Sequence, residues 1–257
     1  MEFVIVIIAS FFTSALTLFS GFGLGTMLLP VFALFFPIEA AIGMTAVVHF
    51  LNNILKLIIL GKSADKPVTL RFGIPAIASA FLGAFLLIWL ADMQALYSYQ
   101  LGGRTFNIHP VQFIIGILIF TFVLIELIPA VKHLAIDKKY LPLGGVLSGF
   151  FGGLSGHQGA LRSMFLLKAG LSRDSFIATG VVISCLVDFS RLIIYSSRFG
   201  DAFQEGFQTM LIIAILSAFA GVFIGSRLLK KVTMHVVQII VSVLLILIAF
   251  GLISGLI

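Results

Sequence analysis

The sequence predicts an all-α polytopic membrane protein of two homologous halves. Each half has about five helical segments. The halves are read as inverted repeats whose short broken helices meet at the membrane midplane. Three observations predict this. First, 60% of the 257 residues are hydrophobic and 10% are charged, against roughly 25% charged in an ordinary soluble domain. The mean hydropathy is +1.21. A water-soluble fold so poor in charge has too little polar surface to cover itself, which excludes a soluble enzyme, a nucleic-acid-binding domain and a disordered chain. Second, the chain repeats itself. Third, its loop charges alternate in a way that inverts one copy against the other.

The repeat is read by placing residue n beside n+135. Ser20-Gly21 falls on Ser155-Gly156, Glu39 on Asp174 and Lys56 on Arg191, with Ile58-Ile59 on Ile193-Ile194. Three extra residues then shift the offset to 138, where IASAFLGAF (77–85) falls on ILSAFAGVF (215–223). Residues 1–131 form the first repeat, 132–140 a cytoplasmic linker and 141–257 the second repeat, together one transmembrane domain.

The apolar segments of the first copy are 3–20, 25–36, 38–60, 68–91 and 110–130. The first opens on Met1-Glu2, without the positive n-region of a signal peptide, and recurs inside the chain, so it is read as a structural helix. The second copy gives 141–154, 159–170, 173–196, 206–229 and 233–256. A spanning helix needs about 20 apolar residues, so several segments fall short of a full span. In each copy the first two meet at a glycine-rich joint, SGFGLG (20–25) and SGHQG (155–159). Short, glycine-interrupted segments at corresponding places in two halves point to a transporter binding site.

Basic residues orient the chain. Lys62, Lys66 and Arg71 follow the third segment, Lys132, Lys138 and Lys139 lie between the copies, and Arg227, Lys230 and Lys231 precede the last segment. The positive-inside rule makes these three loops cytoplasmic. Lys168 and Arg173 fall on the same side. The 92–109 connection, with Arg104 alone, and the Arg198 loop, which also carries Asp201 and Glu205, fall outside with both termini. The net charge of +6 is thus scattered between apolar runs and sets topology; no nucleic-acid partner is expected. Cys185 is the single cysteine, read as a small buried apolar residue. No cofactor or metal is expected.

The two joints would converge near the midplane, with the helices that begin after Gly25 and Gly159 aiming their N-termini inward. A helix N-terminus carries about half a positive charge and unpaired N–H groups, a ready-made anion site. The candidate contacts are Gly21, Gly23, Gly25 and Thr26 in the first joint, and Gly156, His157, Gln158, Gly159 and Arg162 in the second. An arginine deep in a membrane faces a cavity or a partner, and its planar fork suits oxyanions; the alternative is that Arg162 snorkels or pairs with Asp188. His157 either binds the anion, carries a proton, or is satisfied by a backbone carbonyl. His49, Asn52 and Asn53 form a polar cluster that either lines a path or glues helices together. Lys56, Asp188 and Arg191 are coupling or gating candidates. The other reading is that Lys56 and Arg191 snorkel to opposite interfaces and that Asp188 pairs with Arg191 three residues on.

Two motifs are set aside. GFGLGT follows no strand of a βαβ unit and is no dinucleotide site. GLSG (153–156) looks like the motif of rhomboid intramembrane proteases, but a Ser155 nucleophile needs a histidine base. His49 and His235 are remote candidates, and Ser155 matches Ser20 in a joint without histidine.

The duplicated layout, SGFGLGTMLLP (20–30) and GFFGGLSGHQGALR (149–162) together resemble the TauE/SafE sulfite exporter family of sulfur-compound permeases, over nearly the whole chain. In the second joint His157-Gln158 stands where many relatives carry a plain glycine run. The resemblance implies transport of sulfite, sulfonates or related small anions across a bacterial inner membrane. The chain holds no nucleotide-binding motif, so the expectation is a secondary transporter working by alternating access. Protons are a possible coupling ion through His157, Asp188 or Glu126. An anion channel is the second reading and a rhomboid-like serine protease the third.

Overall fold

The computed structural model describes residues 2–20, 24–128, 135–199, 207–228 and 234–257. These form ten α-helices: α1 (Glu2–Ser20), α2 (Leu24–Ala33), α3 (Ile38–Leu60), α4 (Lys66–Ala91), α5 (Pro110–Leu127), α6 (Leu141–Ser155), α7 (Gly159–Leu166), α8 (Arg173–Phe199), α9 (Phe207–Leu228) and α10 (Met234–Ser254). Among the described residues, α3, α4, α5, α8 and α9 are long and apolar enough to cross a membrane. The boundaries follow local chemistry. The Asp65 carboxylate caps α4 by accepting the Val68 N–H at 2.9 Å, with Pro67 in the first turn. Helix α6 ends at Gly156, whose φ of +81° is the left-handed conformation that glycine adopts without steric cost.

One element was not expected. The 92–109 connection holds an antiparallel hairpin, β1 (Tyr97–Leu101) and β2 (Arg104–Ile108). Gly102 and Gly103 turn it, at φ +60° and +77°. Two glycines between alternating strands are the sequence signal for such a turn. The Tyr99 ring stacks on Phe106, and its hydroxyl donates to the Ser254 carbonyl at 2.7 Å, fastening the hairpin to the end of α10.

The main helix pairs join the two sequence copies. Helix α4 lies along α6, α1 along α9, α3 along α8 and α5 along α10. In terms of the repeat, the first segment of each copy packs on the fourth of the other, third on third, and fifth on fifth. The like pairs run antiparallel. His49 of α3 meets Asp188 of α8, while Asp65, beyond the end of α3, donates its N–H to Thr179 nearer the start of α8. Gln112 in the first turn of α5 reaches the Ile257 carbonyl, and Phe120 further along packs on Phe250. Antiparallel contact between equivalent helices is the geometry of an inverted repeat.

The second copy opens with a re-entrant hairpin. Helix α6 has 15 residues, about 22 Å of rise against a hydrocarbon core of about 30 Å. The chain turns at Gly156 and comes back through the eight residues of α7. The Phe165 ring then lies against Gly144, the Met164 carbonyl accepts the Ile136 N–H at 2.9 Å, and the backbone of Lys168 pairs with that of Asp137. Entry and exit therefore sit side by side at one end of the bundle.

Small residues permit these crossings. Gly145, Gly149 and Gly153 lie one turn apart on α6, against the carbonyls of Phe72, Ala76 and Ala80, also one turn apart on α4. A Cβ on Gly83 would run into the Phe150 carbonyl, and one on its repeat mate Gly221 would run into the Phe11 carbonyl. Backbone cannot step aside as a side chain does. Gly83→Ala and Gly221→Ala should therefore each destabilise the protein by about 1–3 kcal/mol, the usual penalty of overpacking. Denaturant unfolding in mixed micelles measures this, and wild-type stability in either variant would contradict the close crossing.

Candidate functional site

The candidate site lies where the start of α2 meets the turn before α7. Gly25 in the first turn of α2 lies against the carbonyl of Gly156, at the turn before α7; a Cβ built on Gly25 stands 3.5 Å from that oxygen. The N-terminal ends of two short helices thus approach one another in the protein interior. The first N–H groups of each helix have no partner within the helix. Gly25, Thr26, Gly159, His157, Gln158 and Arg162 are all buried. Gly21 and Gly23 lie outside the described residues, as do Lys132, Asp201, Glu205, Lys230 and Lys231.

Polar side chains reach this region from two helices in stripes with helical spacing. On α3 the stripe is Thr45, His49, Asn52, Asn53 and Lys56, all buried; on α8 it is Ser184, Asp188, Arg191 and Tyr195. Asp188 is the hub. One carboxylate oxygen accepts from His49 Nδ1 at 2.6 Å. The other accepts from Arg191 Nε at 3.0 Å, Arg191 Nη2 at 2.7 Å and Gln158 Nε2 at 3.1 Å. Asn53 Nδ2 lies 3.2 Å from His49 Nε2. A fully buried carboxylate thereby receives four donors, which is what makes its burial tolerable.

Arg191 does not snorkel. Its side chain is fully buried, and Nη1 donates to the Gly152 carbonyl at 3.2 Å, near the C-terminal end of α6 where a cation is favoured. Lys56 also turns inward and is buried, within electrostatic range of Arg162. Lys56 lies about one turn and Arg191 about two turns from the end of its helix, and the inward-facing stripe, not the membrane interface, takes both side chains.

Arg162 is not paired with Asp188, whose oxygens are taken by His49, Gln158 and Arg191. Its Nη1 donates to Ser184 Oγ, and it lies 3.4 Å from Gln158 Oε1. Among the described residues no carboxylate lies within ion-pair distance of it. A buried guanidinium held by neutral acceptors keeps its positive charge available to an anion.

His157 lies in the joint and is 3% exposed. Its ring stacks on Phe122 with centroids 5.3 Å apart. Nδ1 lies 3.1 Å from the Ser155 carbonyl and 3.2 Å from Ser155 Oγ, while Nε2 has no hydrogen-bond partner among the described residues. Ser155 Oγ itself donates to the Phe151 carbonyl at 3.1 Å. The carbonyl of Ser155 only accepts, so Nδ1 carries the proton and cannot act as base toward Ser155. That geometry opposes the protease reading. Glu126 is half-buried near the end of α5, and Cys185 is buried beside the α8 stripe. No group of metal-ligating residues occurs among the described residues.

Ser184 and Tyr195 were missed in the sequence. Ser184 holds Arg162, and the Tyr195 hydroxyl donates to the Gly153 carbonyl. Their spacing from Asp188 and Arg191 was the available signal: residues 184, 188, 191 and 195 share one helix face.

Crossing helices, antiparallel equivalent segments and a buried cationic joint define a polytopic membrane protein with the architecture of a transporter. The sulfite exporter TauE/SafE family matches residues 6–252, and the chain belongs to that family. Members of this family carry sulfur-containing anions such as sulfite across membranes. No curated protein and no solved structure matches the chain.

Proposed function

We propose that the chain is a secondary transporter of small sulfur oxyanions, sulfite and sulfonates foremost, working by alternating access about the crossed joints. The observation that carries this is the meeting of the α2 and α7 N-termini at Gly25 and Gly156, with Arg162 in the first turn of α7 and, among the described residues, no carboxylate within ion-pair distance of it. Backbone N–H groups and helix dipoles supply donors for the oxygens, and Arg162 supplies the full charge. The Asp188 hub ties α3 and α8 to the second joint, and rearrangement of its bonds is the proposed gate, with Lys56 and Arg191 as its cations. The main helix pairs join the two repeats, 1–131 and 141–257, so the bodies that move each take helices from both. The test is flux of a panel of anions into proteoliposomes. Saturable flux with counterflow supports a transporter, and linear flux without counterflow assigns an anion channel.

The same reading places the protein in a bacterial inner membrane with the basic end of the bundle in the cytoplasm. That end carries Lys62, Lys66, Arg71, Lys138, Lys139, Lys168 and Arg173 and both termini fall on the other side. Ser63→Cys and Ser197→Cys, each in a Cys185→Ala background, should be labelled from opposite faces of the membrane. Labelling of both from one face would refute the inverted arrangement.

A further inference from the structure

Among the described residues, four buried side-chain atoms have no hydrogen-bond partner: Ser10 Oγ, Thr45 Oγ1, Asn52 Nδ2 and His157 Nε2. A buried polar atom left unpaired costs about 1–3 kcal/mol, so each of these atoms calls for a polar partner, which a bound ligand can supply. Two of them adjoin the crossed joints. Thr45 packs against Gly25, its Cγ2 3.9 Å from a Cβ built there, and His157 follows Gly156 in the chain.

Of the two, His157 differs from the groups that would hold the anion. Helix N-termini and Arg162 only donate, and a threonine hydroxyl does either. His157 Nε2 is the exception. Its partner nitrogen is committed as a donor to the Ser155 carbonyl, so in the neutral ring Nε2 has a lone pair and no proton. The Phe122 stack holds the ring in that orientation. The charged group within electrostatic range of the ring is Arg191 on α8. The other buried titratable groups of the region are Asp188 on α8, Arg162 on α7, and His49 and Lys56 on α3, with Glu126 one turn beyond Phe122 on α5, while α2 and α6 carry none. A fully ionised oxyanion has only acceptors and leaves this lone pair unmatched. An oxyanion that keeps one O–H matches it.

Resting on the anion-site reading above, we propose that the joint selects the hydrogen-oxyanion form of a dibasic acid, a monoanion with one O–H, and that His157 Nε2 accepts its hydrogen bond. The donors hold the charged oxygens and the imidazole reads the proton. Selection of the protonated form would carry one proton with each anion.

The test uses two probes of equal charge and similar shape. Methylphosphonate monoanion has one O–H, and methanesulfonate has none. At about pH 6, titration calorimetry on the purified protein should show methylphosphonate binding about fivefold or more tightly, the worth of one buried hydrogen bond. His157→Leu should abolish that preference. Raising the pH should weaken methylphosphonate as the ligand loses its proton and leave methanesulfonate unchanged. This series decides the matter in the wild type alone if His157→Leu does not fold. Methanesulfonate binding that strengthens in acid would mark an imidazolium donor and overturn the proposal, as would equal affinity for the two probes. Arg162→Ala should weaken both and keep their ratio. If the wild type binds neither, the anion-site reading falls as well.

Discussion

Arg162→Ala should weaken binding of small sulfur oxyanions by about tenfold or more. The guanidinium is 7% exposed and is held by Ser184 and Gln158, neither of which neutralises it. A hydrogen bond to a charged group contributes about 1.5–3 kcal/mol, and each 1.4 kcal/mol is about tenfold in affinity. Arg162→Lys should recover only part of the loss, because a point charge replaces a planar fork that binds two oxygens at once. The protein should still fold without Arg162, since no buried carboxylate is stranded by its removal. Binding of sulfite and of a simple sulfonate to purified wild type and variants measures this. Unchanged affinity in folded Arg162→Ala would move the anion site elsewhere, with Lys56 the next buried cation to test.

Arg191→Met should act on stability. It removes two of the four donors to Asp188 and the donor to the Gly152 carbonyl, leaving a buried charge short of partners. Breaking a buried pair from one side costs about 3–5 kcal/mol, whereas replacing both partners with apolar groups is often near neutral. The double variant Asp188→Leu/Arg191→Met should therefore be more stable than Arg191→Met alone. His49 and Gln158 then lose their acceptor, so recovery stays incomplete. Unfolding of the three variants against wild type gives the coupling directly. Additive losses would show that Asp188 and Arg191 do not act as a unit.

The contrast between these variants separates a functional arginine from a structural one, and the sequence alone did not separate them. Both lie in apolar segments, and both had snorkelling as a reading. The pairing of Arg191 with Asp188 was one sequence reading; only the packed structure shows that Arg191 also points at α6, while Arg162 meets a serine. Similarly, His49 and Asp188 are 139 residues apart. Nothing local relates them, and it took the antiparallel contact of α3 with α8 to bring them to 2.6 Å.

The helices themselves were legible to within a few residues, from the end of α1 through the short α2 and α7 to α10. Runs of apolar residues interrupted by glycine and charge report directly on what a bilayer accepts, because each segment must satisfy its own backbone hydrogen bonds in lipid. The hairpin at 97–108 lay outside that logic, in a loop read for charge only, although Gly102-Gly103 between alternating residues was a usable sign.

Composition was enough for the class, because hydrophobicity and charge act segment by segment against the membrane. The offset of 135 and the loop charges carried the reading of two inverted copies, with which the antiparallel contacts of α3 with α8 and of α5 with α10 agree. They also located both joints, since a glycine-rich break within an apolar run is a local property. Which polar groups end up satisfied was decided only by packing. Among the described residues, Asp188 receives four donors and His157 Nε2 receives none. That difference depends on which helix faces cross, and the crossing is set by glycines that admit a neighbouring backbone from the opposite half of the chain.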